Sequence, residues 1–101
     1  MMKHFLVEIT YNVPIAELGE AVAEHRAFLQ IGYDRGWLLC SGPQSPRLGG
    51  VVIARAPTLL DLQRLFAEDV YTRRSLAQYR YLEFEPVKWQ PFLREWVEGN
   101  Q

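Results

Sequence analysis

Residues 15–36, IAELGEAVAEHRAFLQIGYDRG, decide the fold of this chain. Leu18, Val22, Leu29 and Gly32, with Ala21 and Phe28, make one apolar stripe at helical spacing, the mark of an amphipathic helix laid on a core. The pattern predicts a helix over 15–35, with Pro14 just before its first turn and Gly36 closing it. One residue is out of character. His25 sits on the stripe, between Val22 and Leu29, where an apolar side chain belongs. An imidazole turned toward a core must find a hydrogen-bond partner, because an unsatisfied buried polar group costs about 1–3 kcal/mol.

Strands flank this helix. Residues 3–11 alternate, with Phe5, Val7, Ile9 and Tyr11 on one face and Leu6, Glu8 and Thr10 on the other. Residues 37–41 read as a second, apolar strand ended by Gly42, Pro43, Ser45 and Pro46. Residues 49–56 are rich in β-branched types and form a third. Thr58 with Asp61 three residues later resembles a capping box and opens a second helix that turns Leu59, Leu62, Leu65 and Phe66 inward. A break and a short helical turn occupy 68–74. A last strand covers 77–87, and residues 89–98 form a short C-terminal helical extension with Phe92, Leu93 and Trp96 on one side.

The order β-α-β-β-α-β predicts an α+β, ferredoxin-like domain spanning residues 1–101, a four-stranded antiparallel sheet with both helices on one face. The uncovered face is expected to hold Leu6, Glu8, Tyr79 and Tyr81. An apolar, aromatic face on so small a domain predicts a homodimer packed through it.

Composition narrows the function. Hydrophobic residues at 49% and charged residues at 23% are those of a globular domain, and a net charge of −1 argues against nucleic acid. No apolar run approaches the roughly 20 residues of a membrane span, and Lys3 leads into a strand rather than a signal peptide, so a cytoplasmic location is expected. The single Cys40 is read as packing. Two histidines without a convergent acidic cluster predict no metal site, and no phosphate-cradling glycine pattern accompanies Gly49 and Gly50. His4, near the terminus, is expected to be exposed.

The acids that could meet His25 are few. Asp34 lies nine residues along the same helix and so on its opposite side. Asp61 serves the second helix's N-terminus, and Glu20 and Glu24 face solvent. Asp69, in the break beside Val70 and Tyr71, remains. Such a carboxylate would fix the imidazole tautomer and stabilise the imidazolium, leaving the far nitrogen as a general base or acid. The alternative is a structural bridge in the core. Ser41, Gly42 and Pro43 form a second candidate, a hydroxyl and an unobstructed backbone at a strand end, or simply a turn.

His25, the run DRGWLLCSGP over 34–43, the glycines before the third strand, Asp69-Val70-Tyr71 and FEPVKW over 84–89 together resemble the YciI-like family, related to the dimeric α/β-barrel group that includes muconolactone isomerases. Val70 stands where that family usually has proline. The resemblance covers nearly the whole chain and implies a ferredoxin-like fold, a dimeric α/β barrel, and a His–Asp dyad mapping onto His25 and Asp69. One branch of the family is a dehydrochlorinase acting on chlorinated hydroxyhydroquinones without metal or organic cofactor. The expectation is therefore a cofactor-independent lyase or isomerase for a small molecule, aromatic ones included, with Ser41, Gly42, Pro43, Arg47 and Tyr71 contacting it. Two rivals use the same features: a non-catalytic dimeric ligand-binding or regulatory module, and an interaction domain presenting Trp89, Phe92 and Trp96.

Overall fold

Alternation in the first strand sets the layers. In the computed structural model, which describes residues 1–99, strand β1 (Lys3–Tyr11) buries Phe5, Val7 and Ile9 against the helices. Asn100 and Gln101, the end of the expected 1–101 domain, lie outside the described residues. Strands β2 (Leu38–Pro43), β3 (Gly49–Ala56) and β4 (Ala77–Phe84) complete an antiparallel sheet in the order β2-β3-β1-β4. Helices α1 (Ala21–Asp34) and α2 (Leu59–Phe66), with the short turn α3 (Val70–Arg73), follow the β-α-β-β-α-β order, so the α+β ferredoxin-like arrangement holds.

The long helix starts later than the pattern predicts. Residues Ile15–Glu17 form a separate 3₁₀ turn, and Gly19 takes a left-handed φ of 53° that breaks the path before Ala21. The apolar stripe nevertheless faces the core, with Leu18, Ala21, Phe28, Leu29 and Gly32 buried. Gly36 closes the helix as expected, its amide bonded to the Tyr33 carbonyl. In α2, Thr58 accepts from the Asp61 amide at 3.0 Å, and its hydroxyl donates to the Asp61 carboxylate. Leu62, Leu65 and Phe66 are buried, whereas Leu59 is left more than a third exposed at the first helical position.

Register corrects the expected sheet faces. Tyr81 lies opposite Val7 and Tyr79 opposite Ile9, and directly paired residues share a face. Both tyrosines therefore face the helices and pack around Phe66, with ring centroids 5.4 and 6.2 Å away. The opposite face carries Leu6, Glu8, Ile53, Arg80, Leu82 and Phe84. Cys40, opposite Ile53, is exposed there rather than packed in the core. Strand β4 ends at Phe84, short of the expected Val87, ahead of Pro86. Gly49 is needed where β3 meets β1, since a Cβ there would fall 1.7 Å from the Ile9 carbonyl oxygen.

The second strand runs on to Pro43 and contains a bulge. Leu38 pairs with Ala54 and Cys40 with Ile53, so one extra residue enters β2 between them. That insertion shifts the side-chain parity. Leu38 and Ser41 both pair with helix-face positions of β3, and the Ser41 hydroxyl turns toward α1.

Non-local packing also overturns the expectation for His4, which is buried. The C-terminal segment forms a 3₁₀ turn (Pro91–Leu93) and helix α4 (Arg94–Glu98); it leaves Phe92 exposed but brings Trp96 over His4, ring centroids 5.3 Å apart. Arg55, also buried, ties this corner together by donating to the Gly36 and Trp96 carbonyls at 2.8 and 2.7 Å. Burial holds the His4 pKa below its usual 6.5, with the Arg55 charge adding to the effect and the Trp96 backbone opposing it. Nε2 of His4 has no hydrogen-bond partner among the described residues. The unfolded chain thus binds the extra proton first, and stability falls as pH drops below 6.5. Urea midpoints measured across pH 5 to 8 should fall on the acid side in the wild type and less steeply in His4→Phe. Equal slopes would exclude His4 as a source of the acid sensitivity. Among the described residues, no helix is long and apolar enough to cross a membrane.

Candidate active site

His25 emerges from the middle of α1 and meets Asp69 across the gap between the helices. Nδ1 lies 2.7 Å from the Asp69 Oδ2. The imidazole is 13% exposed and the carboxyl not at all. Asp69 caps α3, and its Oδ1 accepts the Tyr71 amide at 3.3 Å. Val70, where the resemblance leads one to expect proline, occupies the first helical position. Its amide needs no intrahelical partner there, so the exchange leaves the cap intact. The next residue fixes the imidazole plane: the Tyr71 ring stacks on His25 with centroids 4.2 Å apart and planes 12° from parallel.

A third donor comes from β4. The Tyr79 hydroxyl donates to the same Asp69 Oδ2 that meets His25. Burial first, then Asp69 itself, pushes the Tyr79 phenol far above its usual range, so it remains a donor at neutral pH. Burial and the Asp69 charge also push Tyr81 up to about 12. A carboxylate only accepts, so against Asp69 the Nδ1 of His25 is the donor. Nε2 makes no hydrogen bond among the described residues, and His25 lines a cleft of about 400 Å³. That is room for one small ring-sized molecule.

Every contact residue expected from the sequence lines this cleft: Ser41, Gly42 and Pro43 from β2, Arg47 from the β2–β3 hairpin tip, and Tyr71. Ile9, Val22, Leu29 and Val52 give apolar walls. Three polar groups escaped the sequence reading. Arg26, Gln30 and Tyr33 recur at i, i+4 and i+7, a spacing that puts them on one edge of α1 and could have revealed them. The Tyr33 and Ser41 hydroxyls are hydrogen-bonded at 2.7 Å. Tyr79 carried no such signal, because its face depends on register with β1.

Tyr79 shares Oδ2 with His25, so removing its hydroxyl should tighten the remaining bond. Tyr79→Phe is expected to cost about 1 kcal/mol of stability and to move the His25 Hδ1 proton resonance further downfield. An unmoved resonance in a folded variant would show that Tyr79 does not act on His25 through Asp69.

A ferredoxin-like domain with one polar-edged cleft, open beside a buried carboxylate and its histidine, is the class that fold and site define. The chain belongs to the YCII-related domain family, whose model matches residues 2–85. Among solved structures it is similar to the 5-chloro-2-hydroxyhydroquinone dehydrochlorinase of Burkholderia phenoliruptrix AC1100, in complex with 2,5-dihydroxybenzoquinone, with a TM-score of 0.65. The two are 15% identical over 86% of this chain and 93% of that one, a likeness of fold. No curated protein matches the chain.

Proposed function

We propose that this chain is a cofactor-independent enzyme that moves a proton on a small, ring-sized molecule, with His25 as general base or acid and Asp69 as the group that orients it. The observation that supports the reading is the 2.7 Å contact of Nδ1 with a fully buried carboxyl, which leaves Nε2 as the nitrogen that would exchange the proton. Ser41, with Tyr71 or Arg47, contacts the substrate, and the Gly42-Pro43 backbone leaves its path clear. The similar solved structure is named for elimination of hydrogen chloride, a reaction in which a base takes a proton and chloride departs with its bonding pair. Lyase or isomerase chemistry of this kind needs one positioned base and a site that excludes most water. The test is chloride release from 5-chloro-2-hydroxyhydroquinone, with deuterium uptake by 2,5-dihydroxybenzoquinone in heavy water as a second assay. Neither occurring above the buffer rate with the purified chain would defeat this reading.

The assembly belongs to the same proposal: a homodimer packed through the sheet face opposite α1 and α2, as a dimeric α/β barrel. Its support is the apolar content of that face, where Leu82 and Phe84 are each 45% exposed beside Leu6 and Ile53. Sedimentation should give twice the chain mass, and Leu82→Glu should shift it to the monomer. A monomeric wild type at micromolar concentration rules the dimer out.

A further inference from the structure

The cleft lining carries two arginines and, among the described residues, no acidic side chain. Arg26, on α1, and Arg47, on the hairpin tip, both line it, together with His25 and the Tyr33–Ser41 hydroxyl pair. Acids close to it are otherwise placed: Glu24 is exposed off the lining, Asp34 accepts from Gln30 at 2.8 Å, and Asp69 is bonded to Nδ1 of His25. Neither Arg26 nor Arg47 makes an ion pair or hydrogen bond among the described residues, whereas Arg80 and Arg94 face glutamates and Arg55 holds two carbonyls. The chain as a whole carries a formal charge of −1, so this excess of positive charge is local to the cleft.

Two guanidinium groups of the same sign, left facing one cavity, raise its affinity for an anion and lower it for a cation. The apolar part of the lining, Ile9, Leu29, Val52 and the Tyr71 ring, asks for an apolar or aromatic body. We propose that the ligand of this cleft is a small ring compound bearing a carboxylate or comparable organic anion, its charge held by Arg26 and Arg47 and its ring beside His25. The inference rests on the proton-transfer reading for its location, since both use one cleft, but it concerns recognition and is tested by binding alone.

Benzoate, benzamide and benzamidine have the same shape and differ in charge, which isolates the effect. Titrated into the full chain while the His25 and Tyr33 resonances are followed, benzoate should bind about tenfold tighter than benzamide, and benzamidine most weakly. The preference should shrink as salt is raised. In the double variant Arg26→Gln, Arg47→Gln, both exposed positions whose replacement leaves the core untouched, benzoate should fall to within about twofold of benzamide. Equal binding of benzoate and benzamide by the wild type would overturn the proposal, as would a preference that survives in the double variant, or no response to any of the three. Those results leave chloride release and deuterium uptake as they were. Conversely, a chain inert in both assays that still prefers benzoate would keep the anion site and lose the enzyme.

Discussion

Asp69→Ala should lower the stability of this chain by about 3 kcal/mol, seen as a drop in the urea midpoint at unchanged slope. The carboxyl has no exposed surface and receives three donors: Nδ1 of His25, the Tyr79 hydroxyl and the Tyr71 amide. Alanine strips all three at once. His25 can turn part of its ring to water, but the Tyr71 amide and the inner Tyr79 hydroxyl are orphaned, each costing about 1–3 kcal/mol. Loss of the α3 cap adds about 1 kcal/mol. Release of a buried carboxyl from its desolvation offsets part of the sum. A variant within about 0.5 kcal/mol of wild type, the range of an ordinary surface substitution, would mean that water replaces the carboxyl and that the site is held together by packing alone.

Asp69→Asn separates orientation from stability. Asparagine keeps the shape and one acceptor oxygen, so the fold should survive. Its amide can donate where the carboxyl only accepts. With that amide against His25, Nδ1 must become the acceptor and the hydrogen moves to Nε2, the nitrogen that does not meet residue 69. Imidazole ¹⁵N shifts should report this exchange of tautomers directly.

How far the sequence disclosed this site depends on how local each determinant is. The helix stripe and His25's intrusion into it are properties of one segment, readable from spacing alone. Asp69 could be reached by elimination, since Asp34 is turned away by helix geometry and Asp61 is occupied with Thr58. Tyr79 could not. A strand's alternation defines two faces without saying which is inside, and only its register with Val7 and Ile9 turns the tyrosines toward the helices. Ser41 depends on one extra residue in β2, which reverses the parity set by Leu38. The burial of His4 is hidden for a related reason: it is covered by Trp96, more than ninety residues along the chain, and no local pattern announces that contact.

His25→Gln should cut turnover by about 10²–10⁴-fold, the ordinary worth of a positioned acid–base group, while leaving the fold in place. Glutamine is the informative replacement. Its side-chain amide can still donate to the Asp69 oxygen, so the buried acceptor keeps a partner and the stability change should stay below about 1 kcal/mol. What it lacks is a lone pair that can take a proton at neutral pH. A loss of rate with retained stability therefore assigns the chemistry to the imidazole and not to the architecture around it. Benzoate affinity measured in the same variant supplies the control, because Arg26 and Arg47 remain to hold an anion when His25 is gone. Full turnover by His25→Gln would remove the proton-transfer role outright. If the wild type turns nothing over and the variant still binds benzoate, the cleft is a receptor for small anions, and the His25–Asp69 contact is there to brace α1 against α3.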